Sequence, residues 1–138
     1  MLKPLVFLIT RKDARKTSAH LRLGAKGEKT ANLYLRLHGF RIIETNFKSR
    51  YGEIDIIARE KDTVVFVEVK TRKTDDLGYP EESVNYHKRN KIIQSAKYYL
   101  HKHKITNTNI RFDIIAIRYT GKFKKEIKLF RDAFRIGK

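Results

Sequence analysis

Cysteine is absent from the 138 residues. That excludes disulfides, thiolate zinc sites, iron–sulfur ligation and a cysteine nucleophile, and it agrees with a reducing compartment. Long apolar runs are absent too. The longest near the start, Leu5-Val6-Phe7-Leu8-Ile9, is far short of the roughly 20 residues a membrane span needs. It is also short for the apolar region of a signal peptide, and no small-residue cleavage site follows it. No membrane partner and a cytoplasmic location are therefore expected. Acidic residues are scarce: 15 Asp and Glu stand against 32 Lys and Arg, a net charge of +17. A surplus that large on so small a chain points to a polyanion, nucleic acid before a membrane surface.

Apolar residues make up 41% of the chain and aromatics 11%. This suffices for one domain whose core needs neither disulfide nor structural metal. The charge is uneven. Residues 1–26 carry seven Lys/Arg and one Asp, and residues 118–138 carry eight Lys/Arg against Glu126 and Asp132. Nearly all the acids fall between. Basic ends around an acid-containing centre suggest a phosphate-gripping surface around a site that needs carboxylates. A solvated basic surface is the plainer reading of any single charge run.

Spacing organises the rest. Residues 27–39 read as a helix, with Glu28, Ala31, Leu35 and His38 on one face and Gly39 as its stop. Residues 40–48 read as a strand, 49–52 as a turn, and 53–58 as a second strand. Glu60-Lys61-Asp62 is a tight turn into a valine-rich third strand over 63–70, which predicts an antiparallel hairpin. Residues 71–80 read as a polar loop. Residues 86–103 carry the helical stripe Ile92, Ala96, Tyr99 and Leu100, with Ser83 or Asn85 as cap. Further strands are expected over 110–119 and 126–134. The order α-β-β-β-α-β-β predicts an α/β domain, a mixed sheet flanked by helices, over residues 27–138, behind a basic N-terminal extension of residues 1–26.

The informative residues are acids inside apolar strands. Asp55 sits in Ile54-Asp55-Ile56-Ile57, and Glu68 in Val64-Val65-Phe66-Val67-Glu68-Val69-Lys70. A buried ionised carboxylate without a partner costs several kcal/mol, roughly, so such groups pair or bind metal. Alternation puts Phe66, Glu68 and Lys70 on one face of the third strand, and Asp55 on the face opposite Ile54 and Ile56. In the hairpin, Asp55 and Glu68 then become cross-strand neighbours within reach of one divalent cation. Two hard carboxylates suit Mg²⁺ or Mn²⁺ with waters left on the ion. Such an ion lowers the pKa of bound water and stabilises charge on phosphorus. Lys70 can orient that water or neutralise a phosphate oxygen. Glu28, on the sheet-facing side of the first helix, can join as an outer or second-metal ligand. A plain ion pair of Asp55 or Glu68 with Lys70 is the competing explanation of the same residues.

With these residues in view the chain resembles a known family. Gly27-Glu28…Ala31, Gly39-Phe40, Asn46, Gly52-Glu53-Ile54-Asp55-Ile56-Ile57-Ala58 and Val65-Phe66-Val67-Glu68-Val69-Lys70-Thr71-Arg72, followed by Gly78-Tyr79-Pro80-Glu81 and Arg111-Phe112-Asp113, resemble the YraN family of bacterial endonuclease-like proteins. The likeness runs from Gly27 to Ile117. That family is similar to the PD-(D/E)XK nucleases and to archaeal Holliday-junction resolvases. The resemblance implies a restriction-endonuclease-like core, with Asp55, Glu68 and Lys70 as the nuclease signature and Glu28 as the helix acid. Ile54 stands where the superfamily's eponymous proline would be.

Other residues take supporting places. Arg72 and Lys73 follow the acidic strand and suit phosphate clamping. Lys88, Arg89 and Lys91 near the start of the second helix read as a backbone-phosphate stripe. Asp113 reads as a structural partner of Arg111, and Glu53 as a neighbour of Asp55. Tyr51 and Tyr79 could stack on bases, although lone tyrosines usually pack. The expectation is a Mg²⁺- or Mn²⁺-dependent endonuclease acting on DNA, with branched or flapped DNA among the candidate substrates. A homodimer would suit symmetrical cutting of two strands. The alternative is a nucleic-acid-binding protein with a vestigial nuclease site. A basic RNA-associated protein ranks third, because no RNA-recognition aromatic motif is present.

Overall fold

The computed structural model describes residues 11–73 and 84–137. Of the loop expected over 71–80, residues 71–73 belong to a strand and residues 74–80, with Tyr79, lie outside the described residues, as do the alternative cap Ser83 and the apolar stretch Leu5–Ile9. The elements follow the predicted order: α1 (Arg11–Leu37), β1 (Arg41–Ser49), β2 (Gly52–Glu60), β3 (Thr63–Lys73), α2 (Tyr86–Lys102), β4 (Asn109–Tyr119) and β5 (Lys125–Phe134). The five strands form one mixed sheet in the order β1-β2-β3-β4-β5. All neighbours are antiparallel except β3 and β4. That parallel pair requires the crossover that α2 supplies. Among the described residues no helix is long and apolar enough to cross a membrane.

The sheet is covered on both faces. Ala31 and Leu35 of α1, with Phe40, pack on Ile56, Ala58, Val65, Val67, Ile115 and Ile117. Ile92, Ile93, Ala96 and Tyr99 of α2 pack on Phe47, Ile54, Ile57, Val64, Phe66, Phe112 and Ile114. The central strand β3 is therefore apolar on both sides, which explains its unbroken valine run.

Three elements clearly exceed their expected lengths. β2, expected over 53–58, runs from Gly52 to Glu60 because its pairing with β3 continues to Glu60↔Thr63. β3 runs on to Lys73 because its parallel register with β4 continues to Lys73↔Tyr119. The helix expected to start at Gly27 begins at Arg11 instead. It passes through Gly24 and Gly27, each of which costs a helix about 1 kcal/mol against alanine. Packing explains the second glycine. A Cβ at Gly27 would stand 2.0 Å from Thr71 Oγ1 and 3.1 Å from Thr71 Cβ. Gly27 thus lets α1 lie directly against the far end of β3. Gly27→Ala should push the helix off that strand at a cost of about 1–3 kcal/mol, read as a lowered urea midpoint. An unchanged midpoint would show that the contact is not tight.

Candidate active site

The hairpin turn sets the site. Lys61, with its backbone in the left-handed region (φ 53°), begins the two-residue turn between β2 and β3. The pairs then run from Glu60↔Thr63 to Ile56↔Val67. One further step along that register sets Asp55 opposite Glu68, where the paired ladder stops. There the Val69 amide donates to Asp55 Oδ2 at 2.8 Å. A cavity of about 280 Å³ opens at this point, lined by Glu28 from α1, Asp55 from β2, Glu68, Lys70 and Arg72 from β3, and Lys88 from α2.

Alternation around Asp55 is not the simple one expected. Ile54 packs on the α2 side of the sheet and Ile56 on the α1 side. Their partners in β1, Phe47 and Thr45, flank Asn46, whose backbone is left-handed (φ 52°). The left-handed residue interrupts the up-down pattern of β1, and β2 follows its partner. Asp55 therefore sits at the break, where helices from both faces reach the cavity. Glu68 and Lys70 do share the α2-side face with Phe66, as expected. Glu28 comes from the other layer, held there by the Gly27–Thr71 contact.

The electrostatics follow from this crowding. Burial, then the charge and hydrogen bonding of Glu68, push the Asp55 carboxyl up to about 8. The Val69 amide opposes this, and Glu28 adds to it. Glu68 is almost fully buried and is met by two ammonium groups: Lys88 Nζ at 2.7 Å and Lys70 Nζ at 3.5 Å from its Oε1. Burial, then the neighbouring Lys88, hold Lys70 below the ordinary lysine value. Burial works against Lys88 as well, but its hydrogen bond to Glu68 raises it overall.

Glu28, Asp55 and Glu68 share the cavity but do not form a ready-made cage. Among the described residues no three His, Asp or Glu side chains converge closely enough to hold a metal ion on their own. Like charges repel, and Lys88 already draws Glu68 aside. Asp55 and Glu68 fit a hard divalent ion in chemistry: they bring oxygen donors into one cavity, Glu68 buried and Asp55 half-buried, and the charge of Glu68 is met by two lysines.

The flanking residues divide. Lys88 belongs to the site itself rather than to a stripe beside it. Its amide bonds Asn85 Oδ1 at 3.0 Å, so Asn85 is the cap of α2 and sets where Lys88 falls. Arg72 lines the cavity, and Lys73 ends β3 beside it. Arg89 does not join them; it donates to the Val84 carbonyl (2.9 Å) and lies over the Phe134 ring. Lys91 is exposed and leans over the turn at Gly52. Glu53 is exposed and paired in register with Lys48. Tyr51 is tied to Arg50 and packs edge-on to Tyr98. Asp113 is fully buried and held by Arg111 through two bonds of 2.8 Å, as expected of a structural pair. Sequence reading missed His20 and Leu23, which line the cavity from the part of α1 before Gly27. A signal existed in Leu23, which extends the apolar stripe of α1 by two turns.

Comparison with known proteins covers the same span. Residues 27–117 match the model of a family described as uncharacterised protein family UPF0102. The chain is similar to a UPF0102 protein of Persephonella marina, 51% identical over 94 residues, which are 68% of this chain and 81% of that protein. It is also similar to UPF0102 proteins of Clostridium acetobutylicum, 43% identical over 114 residues (82% and 93%), and of Syntrophus aciditrophicus, 42% identical over 118 residues (86% and 92%).

Proposed function

The chain belongs to the uncharacterised protein family UPF0102, and from its carboxylate pair we propose that it is a divalent-metal-dependent endonuclease that hydrolyses phosphodiester bonds of DNA. The observation that carries this reading is the opposition of Asp55 and Glu68 at the parting of β2 and β3, with Lys70 one strand step beyond. A protein that only bound phosphate would gain nothing from a buried acid beside a half-buried one, both of which repel it. Asp55 and Glu68 would hold Mg²⁺ or Mn²⁺, with Glu28 as an outer member. When bound, the ion stabilises negative charge on the phosphoryl oxygens and makes a bound water more acidic.

The chain's own residues do the rest. Lys70, half-buried and of lowered pKa, directs a proton-bearing group at the water or at a non-bridging oxygen. Arg72 and Lys73 grip the phosphate that follows. Lys88 offsets the charge of Glu68 at 2.7 Å, and with an ion held by the carboxylates it would be available to a phosphate oxygen of the substrate. A binding protein with an idle site remains the second reading, favoured by the 2.7 Å Lys88–Glu68 pair, which satisfies Glu68 without an ion.

The two differ in turnover. Incubated with labelled duplex and forked DNA, the chain should cleave in Mg²⁺ or Mn²⁺ and not in EDTA. Lys70→Ala should reduce cleavage by roughly a hundred-fold or more while DNA binding stays within a few-fold. Cleavage that persists in EDTA or in the variant would overturn the assignment. Tight, salt-sensitive binding without turnover would select the second reading.

A further inference from the structure

We propose that the tip of the β4–β5 hairpin, Lys122-Phe123-Lys124-Lys125, is a base-stacking element that selects nucleic acid where duplex passes into single strand. The proposal rests on the nucleic-acid reading above and adds a substrate class to it.

Phe123 is 89% exposed, more than any other large apolar side chain among the described residues. The arm that carries it is built firmly. Thr120 closes the turn by donating to the Lys124 carbonyl at 3.0 Å. At the root of the arm, Tyr119 meets Thr30 of α1 at 2.9 Å, and Lys26 lies 4.3 Å above the Tyr119 ring. The phenyl ring therefore stands in water on an anchored hairpin and packs on no core. Lys122, Lys124 and Lys125 flank it along the chain, and Lys122 Nζ lies 5.5 Å from the ring centroid.

Topology puts this tip at the end of the sheet that holds the carboxylates. β4 runs parallel to β3, with Ile114 beside Glu68 and Tyr119 beside Lys73. Those five strand steps span roughly 16 Å, which is about five phosphates along one strand of B-form DNA. A nucleic acid lying in the cavity can thus reach Phe123 a few nucleotides away. The chemistry is that of a nucleobase site: a bare π face for stacking, and cations for the phosphates on either side. Paired bases inside a duplex are already stacked. The ring gains only where a base is unpaired, at a fork, a gap or a branch.

The test is a binding measurement in EDTA, so it does not depend on turnover. The probes are a blunt duplex, a single strand and a splayed fork of equal length, the fork carrying 2-aminopurine at its first unpaired position. Phe123→Ala should weaken fork binding roughly five- to hundred-fold and leave the blunt duplex within two-fold. Phe123→Trp should restore the fork preference, and the wild-type chain should quench the 2-aminopurine. Equal loss on duplex and fork, or no quenching, would overturn the proposal. So would binding to phosphatidylserine vesicles that is lost in Phe123→Ala while fork binding stays intact, because the tip would then be a membrane contact. Fork selection without any cleavage in Mg²⁺ would refute the nuclease assignment alone and leave this one standing.

Discussion

Asp55→Asn is expected to remove metal-dependent cleavage, by roughly a hundred- to ten-thousand-fold, and at the same time to make the metal-free chain more stable. Asparagine keeps an oxygen for the Val69 amide, which now bonds Asp55 Oδ2, so local geometry survives. What it removes is a charge that folding disfavours. The Asp55 pKa rises on folding, from an ordinary 3.8 to about 8. A group whose pKa is raised by folding contributes its stability fully below the unfolded value and loses it as pH climbs through the folded value. The wild-type chain should therefore lose stability between about pH 4 and pH 8, and Asp55→Asn should lose much less. Near pH 8 the variant should exceed wild type by an amount of order 2–4 kcal/mol, visible as a higher melting temperature. Lower stability than wild type at that pH would sink the account of a strained carboxylate. Cleavage within three-fold of wild type would remove Asp55 from the chemistry.

The same proton links pH to metal. Below pH 8 an incoming ion must displace it, so apparent Mn²⁺ affinity should climb about ten-fold per pH unit and then level off. Titration calorimetry in two buffers of different ionisation heat would count the released proton.

The largest loss of stability is expected at a different cluster. Asp113 has no exposed surface and accepts two guanidinium bonds from Arg111, and its Oδ1 also accepts the Asp132 amide at 2.9 Å. Arg111 reaches on to Glu60 at 2.7 Å, and Arg131 meets Glu60 at 2.8 Å. This chain of charges ties the hairpin end of β2 across β3 to β4 and to the left-handed bend at Asp132 in β5. Asp113→Ala would leave Arg111 half-compensated, orphan a backbone amide and open a void. The expected cost is about 3–5 kcal/mol, with an unchanged denaturant slope. Asp113→Asn keeps the volume and should cost less. A loss under 1 kcal/mol for the alanine variant would mean that Arg111 and Glu60 suffice alone.

Much of this was legible in the residues because it depends on local rules. A two-residue turn after Glu60 forces Asp55 to face Glu68, since register in a hairpin follows from its turn. Strand and helix order followed from periodicity for the same reason. Lys88 was not legible as part of the site. Its position depends on the Asn85 cap and on where α2 returns across the sheet, and neither leaves a mark near Glu68 in sequence. The face change at Asp55 was hidden too, because it originates in Asn46 on a neighbouring strand. The first half of α1 was obscured by Gly24 and Gly27, both unfavourable inside a helix, and the reason for the second shows only when Thr71 is seen against it.

Among the described residues the sheet ends in two unpaired margins, β1 and β5. A bare strand margin is a template on which another copy can add its own strand. Here Arg41 and Lys48 are exposed on one margin, and Lys125 and Lys128 outnumber Glu126 on the other, where Arg131 is paired with Glu60. A second molecule approaching either rim meets its own sign of charge, so the cationic excess also works as an anti-coalescence device. Its reach is the Debye length, about 10 Å at 0.1 M salt. Dilute buffer should keep copies apart, and concentrated salt should weaken that barrier.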